Sequence, residues 1–340
     1  MNKSSNTYVI GVGLILSVYL TIGALYAITI PEWQSPDEPA HYNYVSHIAK
    51  TGKLPVLEVD DYDQGYIEEL IKRGFPSDMN IDLLRYEAHQ PPLYYLLATP
   101  VFIAFDGSLL ALRLFSLVLG GCVIVLSGMA TKIIFPGNLP LSLSVTGFVA
   151  FVPQHLAMMS SVNNDSMAEV WMILGLWLIM RRTTPWVIGM VVGFAFLTKA
   201  TVYVLAIVAT VAAVHRIQKR EVKLSSLWQL FAPALFMGIA WWLRNILVYG
   251  WPDFLGLINH SEIVVGQPRT LDWLDRFGAL GLSWRFMQTT FNSFWGQFGW
   301  MAVPMKLVVF RFLTILSLMI VIGNYLLLRL KFLKLNFEKI

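Results

Sequence analysis

The chain has 340 residues, 56% hydrophobic and 14% charged, with a formal net charge of +4. Soluble domains run near half apolar and a quarter charged, so too few charges are present to cover a water-facing surface of this size. The small positive balance excludes a nucleic-acid surface, and the single cysteine, Cys122, excludes an intramolecular disulfide and a cysteine zinc site.

Apolar blocks fall at roughly 8–30, 91–105, 109–134, 139–159, 166–180, 185–198, 200–215, 226–248 and 307–328. Most are long enough to cross a bilayer, which predicts an all-α polytopic membrane protein forming one module over residues 1–340. The first block, Tyr8 to Ile30, exceeds a signal-peptide core and no small-residue cleavage site follows it, so it reads as a transmembrane helix. Residues 31–90 hold 12 of the 21 acidic residues, and the second large polar stretch, 249–303, is rich in Trp, Phe and Gly.

Charge bias fixes the expected topology. Lys3, Arg181-Arg182, the run from Arg216 to Lys223 and the tail from Arg329 to Lys339 mark cytoplasmic segments. Nine crossings would put that tail outside, so one block does not cross. The block 91–105 opens with Pro91-Pro92, carries Tyr94 and Tyr95 and stops at Asp106-Gly107, which predicts an interfacial or re-entrant helix on the outer face. The alternative, that 91–105 spans and another block does not, satisfies the charge rule less well. About eight spans remain, with a first outer loop over 31–108 and a last one over 249–303.

Residues with chemical potential gather in those outer segments. Ser35-Pro36-Asp37-Glu38-Pro39-Ala40-His41 places adjacent carboxylates at a membrane exit between prolines that fix the backbone. A lone charge there would be a solvated cap; paired acids beside His41 make a candidate base for an acceptor hydroxyl. Glu87 to Tyr95 carries His89 and Tyr94 at the start of the expected interfacial helix. This is either a polar helix start or an approach to a phosphate or sugar. Ser161-Val162-Asn163-Asn164-Asp165 is either a helix cap or a second acidic site held against the bundle, with Asp165 facing Asp37 across a cavity. Lys199 and Arg244 lie near the outer ends of spans among apolar residues, where cations need partners; they either snorkel to headgroups or bind a lipid phosphate. Asn292 to Trp300 offers Trp295 either to the membrane interface or to a sugar ring. No Walker-A loop, HExxH or GxSxG is present.

At these residues the chain resembles the GT-C superfamily of polytopic glycosyltransferases, which use polyprenyl-phosphate or polyprenyl-diphosphate sugars. The likeness rests on Asp37-Glu38 in the first outer loop, on His89 to Tyr95 and on Asn164-Asp165, in that order. Pro36 to His41 and Ser293 to Trp300 look most like an uncharacterised bacterial branch of that superfamily. Over roughly residues 8–305 the resemblance implies interfacial helices in the first outer loop and an active site on the extracytoplasmic face of the cell membrane. It implies a polyprenyl-phosphate-linked sugar as donor and a lipid, glycan or protein as acceptor. Asp37 would be the catalytic base, with Glu38 and Asp165 beside it. His41, His89, Tyr94, Asn164, Lys199, Arg244 and Trp295 would bind substrate, the cations neutralising the leaving phosphate. No metal ligands are assigned, and a divalent metal stays open as a cofactor. Relatives often carry more spans and a soluble C-terminal domain. The alternative from another class, a transporter or flippase of a lipid-linked saccharide, requires polar residues at mid-membrane, whereas the span interiors read as apolar.

Overall fold

A computed structural model describes residues 3–337, with side chains described from Asn6 to Arg329. The basic anchor Lys3 and the tail beyond Arg329 therefore lie outside the described side chains. The helices are α1 (Lys3–Thr29), α2 (Glu38–Thr51), α3 (Gln64–Arg73), α4 (Leu93–Ala104), α5 (Leu109–Ile134), α6 (Leu139–Phe151) and α7 (Pro153–Met159). They continue as α8 (Asp165–Met180), α9 (Pro185–Phe196), α10 (Val204–Gln218), α11 (Ser225–Tyr249), α12 (Leu257–Ile263), α13 (Thr270–Trp295) and α14 (Leu307–Phe337). A two-stranded antiparallel hairpin, β1 (Gln297–Phe298) with β2 (Val303–Pro304), interrupts the last two.

Five segments are long and apolar enough to cross a membrane: Asn6–Thr29, Leu109–Ile134, Ala200–Gln218, Ser225–Tyr249 and Leu307–Arg329. Their outward side chains stay apolar, as with Leu14 and Ile28 on α1, Val211 on α10, Phe236 and Leu247 on α11, and Ile320 and Val321 on α14, all exposed. Apolar surface on this scale needs a bilayer to cover it. A sixth span requires counting α6 with α7, which meet at a bend of 61°. The sequence reads 139–159 as one continuous helix. The break arises because Pro153 has no N–H to donate and holds Val152 in an extended conformation.

The count of eight is not reached by length alone. At about 1.5 Å per residue, α8 is about 24 Å long and α9 about 18 Å, against a hydrocarbon core of about 30 Å. Hydropathy could not reveal this, since both segments are apolar throughout. Helix α4 is as short as α9 and starts at the proline pair. It buries Tyr94, Tyr95 and Ala98 against Tyr44, Val45 and Ile48 of α2 and Leu112 of α5.

The bundle has two unlike ends. At one, Lys132 near the end of α5 lies 4.1 Å over the ring of Tyr8 near the start of α1. Arg182 after α8 and Arg216 of α10 both reach Glu221, at 3.0 and 3.6 Å. At the other end, α1 stops, α2 begins, and α5 and α8 start. A buried ion pair ties them. Arg113 donates from Nε and Nη2 to both oxygens of Glu38, at 2.9 and 2.6 Å. Its remaining N–H groups reach the carbonyls of Ala27, Ile30 and Pro31 at 2.7–3.0 Å, satisfying the orphan carbonyls at the α1 C-terminus. Glu38 Oε1 also accepts from the Val162 amide at 3.1 Å. All five guanidinium donors are used. Close backbone approach elsewhere depends on Gly189, where an added Cβ would run into the Leu230 carbonyl of α11.

Candidate functional site

The site forms where the 31–108 segment folds onto the ends of α8 and α9. Asp37 caps α2 with φ 61, a left-handed conformation that Asp tolerates better than most residues. Pro39 in the first turn and Pro36 before it hold the bend. The carboxylate is thereby turned toward Tyr86, whose hydroxyl donates to Asp37 Oδ1 at 2.8 Å. Burial raises the Asp37 carboxyl above its ordinary range, and nearby Asp165 adds to this; the Tyr86 hydrogen bond and Lys199 pull the other way. Such a carboxylate is a stronger base than a solvated one.

Lys199 stands in an extended link between α9 and the single 3₁₀ turn before α10. Its ammonium donates to Asp165 Oδ1 at 2.7 Å, and both side chains keep partial access to solvent. The link is positioned from two sides. The amide of Leu93, first residue of α4, donates to the Leu197 carbonyl at 2.8 Å, and Asn164 Nδ2 reaches the Thr198 carbonyl and Gln90 Oε1, each at 3.2 Å. Asn164 Oδ1 is enclosed with no partner among the described residues. Lys199 thus sits within electrostatic reach of Asp37, Glu87, His41 and His89 as well as its bonded partner Asp165.

Glu87 is the functional candidate that the sequence reading passed over. It lies in a 3₁₀ turn, Tyr86–His89, that the sequence shows only as a polar helix start. Its Oε2 is enclosed without a hydrogen-bond partner. Burial, then Asp37, push its carboxyl up to about 8, with Lys199 opposing. One carboxylate, Asp165, thus bonds the Lys199 ammonium, and two more, Asp37 and Glu87, lie within reach of its charge. The signal in the sequence was Glu87 three residues before the Gln90-Pro91-Pro92 break, but nothing in the spacing said that it would face Asp37.

The histidines depart from the expected role. His89 Nδ1 lies 3.0 Å from the Tyr86 carbonyl and its ring packs at 4.3 Å against His260 of α12. Burial and His260 lower it to about 3, so it is neutral, with its Nδ1–H committed to the carbonyl. It therefore cannot supply the positive charge expected of it against a phosphate. His41, bonded through Nδ1 to the Tyr95 hydroxyl at 2.8 Å, is buried and held neutral in the same way.

Four further expectations are corrected. Glu38 is sealed in the Arg113 pair and is structural rather than catalytic. Tyr94 is a core residue whose hydroxyl meets Ser116 at 2.8 Å. Arg244 does not share a partner with Lys199. It donates to the Pro55 carbonyl at 2.5 Å and to Asn245 Oδ1 at 3.0 Å, and lies over Trp241, pinning the first loop to α11. Trp295 packs edge-on against Phe148 of α6, whereas Trp300 reaches the first loop, donating to the Trp33 carbonyl at 3.0 Å and stacking on Phe75. Asp61 and Asp63 fall at Asp-x-Asp spacing, but Asp61 pairs with Arg85 and the Glu58 amide while Asp63 caps α3. Among the described residues no three His, Cys, Asp or Glu side chains come together to hold a metal.

The raised acids make a testable pH dependence. A carboxyl held near 8 in the fold but ionising near 4.5 when unfolded binds its proton longer in the folded state. Its contribution to stability therefore falls as pH rises from about 4.5 to about 8. Asp37 acts in the same direction, while His89, lowered in the fold, raises stability between about 3 and 6.5. Glu87→Gln should flatten the decline in Tm between pH 6.5 and 8 in detergent; an unchanged slope would place the ionisable acid elsewhere.

The fold and site together define an all-α membrane protein with a carboxylate-rich cluster around one lysine at one end of its bundle. Comparison with known protein families, curated proteins and solved structures found no match.

Proposed function

We propose that the chain is a multi-pass membrane glycosyltransferase that moves a sugar from a polyprenyl-phosphate carrier to an acceptor hydroxyl, with inversion, on the extracytoplasmic face. The observation that supports this most is the convergence of Asp37, Glu87 and Asp165 on Lys199 at the end of the bundle away from the basic turns. In this reading α8 and α9 complete eight crossings, because the site lies at one end of both and Arg181-Arg182 at the other. The lysine holds the donor phosphate, exchanging its bond to Asp165 for bonds to phosphate oxygens. Asp37 takes the acceptor proton, the acceptor oxygen bonds to the anomeric carbon, and the phosphate departs with the bonding pair. Charge developing on the leaving oxygen is met by an ammonium already in place. A phosphate leaving group needs little protonation, so one base and one cation suffice.

The direct test is binding of polyprenyl phosphate to protein in nanodiscs. A charge-assisted hydrogen bond contributes about 1.5–3 kcal/mol, so Lys199→Met should weaken binding about tenfold or more. Arg244→Met should leave it nearly unchanged and lower Tm instead, since Arg244 holds the Pro55 segment. Equal binding by wild type and Lys199→Met would overturn the assignment of the phosphate site.

Sidedness has its own test. Cysteines at positions 60 and 270 should react with an impermeant reagent from outside, and one at 218 only after permeabilisation. Gly107 has φ 76 and a crowded Cβ position, so the turn after α4 is better probed at Phe105, which is exposed. Outside labelling of Phe105→Cys fits a non-crossing α4, and protection until the membrane is opened refutes it.

A further inference from the structure

A second polar group lies one helical turn along α8 from the Asp165–Lys199 pair. Residues four apart share a helix face, so Asp165 and Glu169 point the same way, with Glu169 about 6 Å farther into the bundle. Each carboxylate is held by a partner from the neighbouring element: Asp165 by Lys199, and Glu169 by Nε2 of His155 on α7 at 3.1 Å. Both side chains stay partly open, with relative exposures of 39% for Asp165 and 45% for Glu169. His155 Nδ1 is enclosed with no partner, and so is the hydroxyl of Tyr19 on α1, whose ring centre lies 6.4 Å from that of His155. The hairpin after α13 borders the same helix, the Gln297 amide donating to Gln154 Oε1 at 2.8 Å. An ionisable pair inside an apolar bundle is costly unless something uses it, and nothing in the Asp37 cluster does.

We infer that Glu169 and His155 form an acceptor subsite that holds the hydroxyl-bearing head of a membrane-resident molecule beside Asp165. The chemistry follows from the donor set. A carboxylate oriented by an imidazole accepts hydrogen bonds from hydroxyls, and Asp165 one turn away lies at about the width of a sugar ring. The imidazole nitrogen and phenol hydroxyl, both unpartnered, can complete that network. Lacking any cation of fixed charge, the group does not suit a phosphate, which distinguishes it from the lysine site. The subsite depends on the transferase reading only for the word acceptor; binding itself is independent of it.

The test uses full-length protein in nanodiscs and a radiolabelled, photoreactive alkyl β-glucoside, with its permethylated analogue as control. In wild type the glucoside should label the segment 153–171, while the analogue, unable to donate, should label it about tenfold less. Glu169→Gln should reduce labelling by a similar factor, while excess inorganic phosphate should not compete. Equal labelling by the two probes, which needs no variant, would reduce the feature to an apolar crevice with buried water and overturn the inference. Labelling that inorganic phosphate competes away would merge it with the phosphate site and also overturn it. If labelling behaves as expected but no lipid-linked sugar is ever transferred, the subsite stands and the transferase reading falls.

Discussion

Glu38→Gln is expected to cost about 3–5 kcal/mol of stability, among the largest losses for a single substitution in the site region. The reason is the state in which it leaves Arg113. The guanidinium is buried, and Glu38 supplies both its countercharge and two of its five acceptors. An amide removes the charge and can accept on only one oxygen, so an uncompensated cation stays inside the protein. Helix α1, α2, α5 and the turn before α8 all lose their common tie, since Glu38 also receives the Val162 amide. A stability of about 5–15 kcal/mol is typical of a folded domain, so the loss should show as a sharp drop in Tm and in monodisperse yield from detergent. Arg113→Met should be as damaging, and the double variant less so than the sum, because an apolar pair leaves no orphan charge. A Glu38→Gln protein with wild-type Tm would refute the account. The sequence places it next to the expected base; the structure makes it the structural one of the two acids.

That reversal marks what the sequence could and could not carry. Block length and composition established the helical membrane class, and the proline pair at 91–92 marked a short helix. Asp37, Asp165 and Lys199, named from three separate segments, do converge. Arg244 and Trp295 do not join them, because position along a span sets depth but not which way around the helix a residue faces. Glu38 and Asp37 are adjacent and opposite in role. Only the left-handed turn at Asp37 decides which carboxylate enters the site, and no hydropathy pattern encodes that turn. Glu87 escaped for a related reason: a 3₁₀ turn has no amphipathic period long enough to read. The break at Val152-Pro153 is the reverse case, where the proline was visible but the apolar run around it favoured continuity.

Asp37→Asn is expected to reduce sugar transfer by about 10²–10⁴-fold, the range that a positioned general base contributes, with little loss of fold. Asparagine tolerates φ 61 as aspartate does, and its carbonyl oxygen can still accept from the Tyr86 hydroxyl, so the geometry survives while the base is lost. Asp37→Gly separates the two contributions further. It relieves the left-handed strain but leaves the buried Tyr86 hydroxyl without its acceptor, so it should lose stability that the asparagine variant keeps while being as inactive. Tyr86→Phe tests the same proton from the other side. The Tyr86 hydrogen bond lowers the Asp37 pKa against the rise caused by burial, so removing it should raise that pKa. A base works only when ionised. The rising limb of the transfer-rate profile should therefore move to higher pH in Tyr86→Phe, with the plateau nearly kept. Turnover measured with a radiolabelled polyprenyl-phosphate sugar decides the matter: near wild-type rates in Asp37→Asn would remove Asp37 from the chemistry, and an unmoved limb in Tyr86→Phe would show that the titrating base is another group, with Glu87, whose carboxyl is also raised, the next to examine.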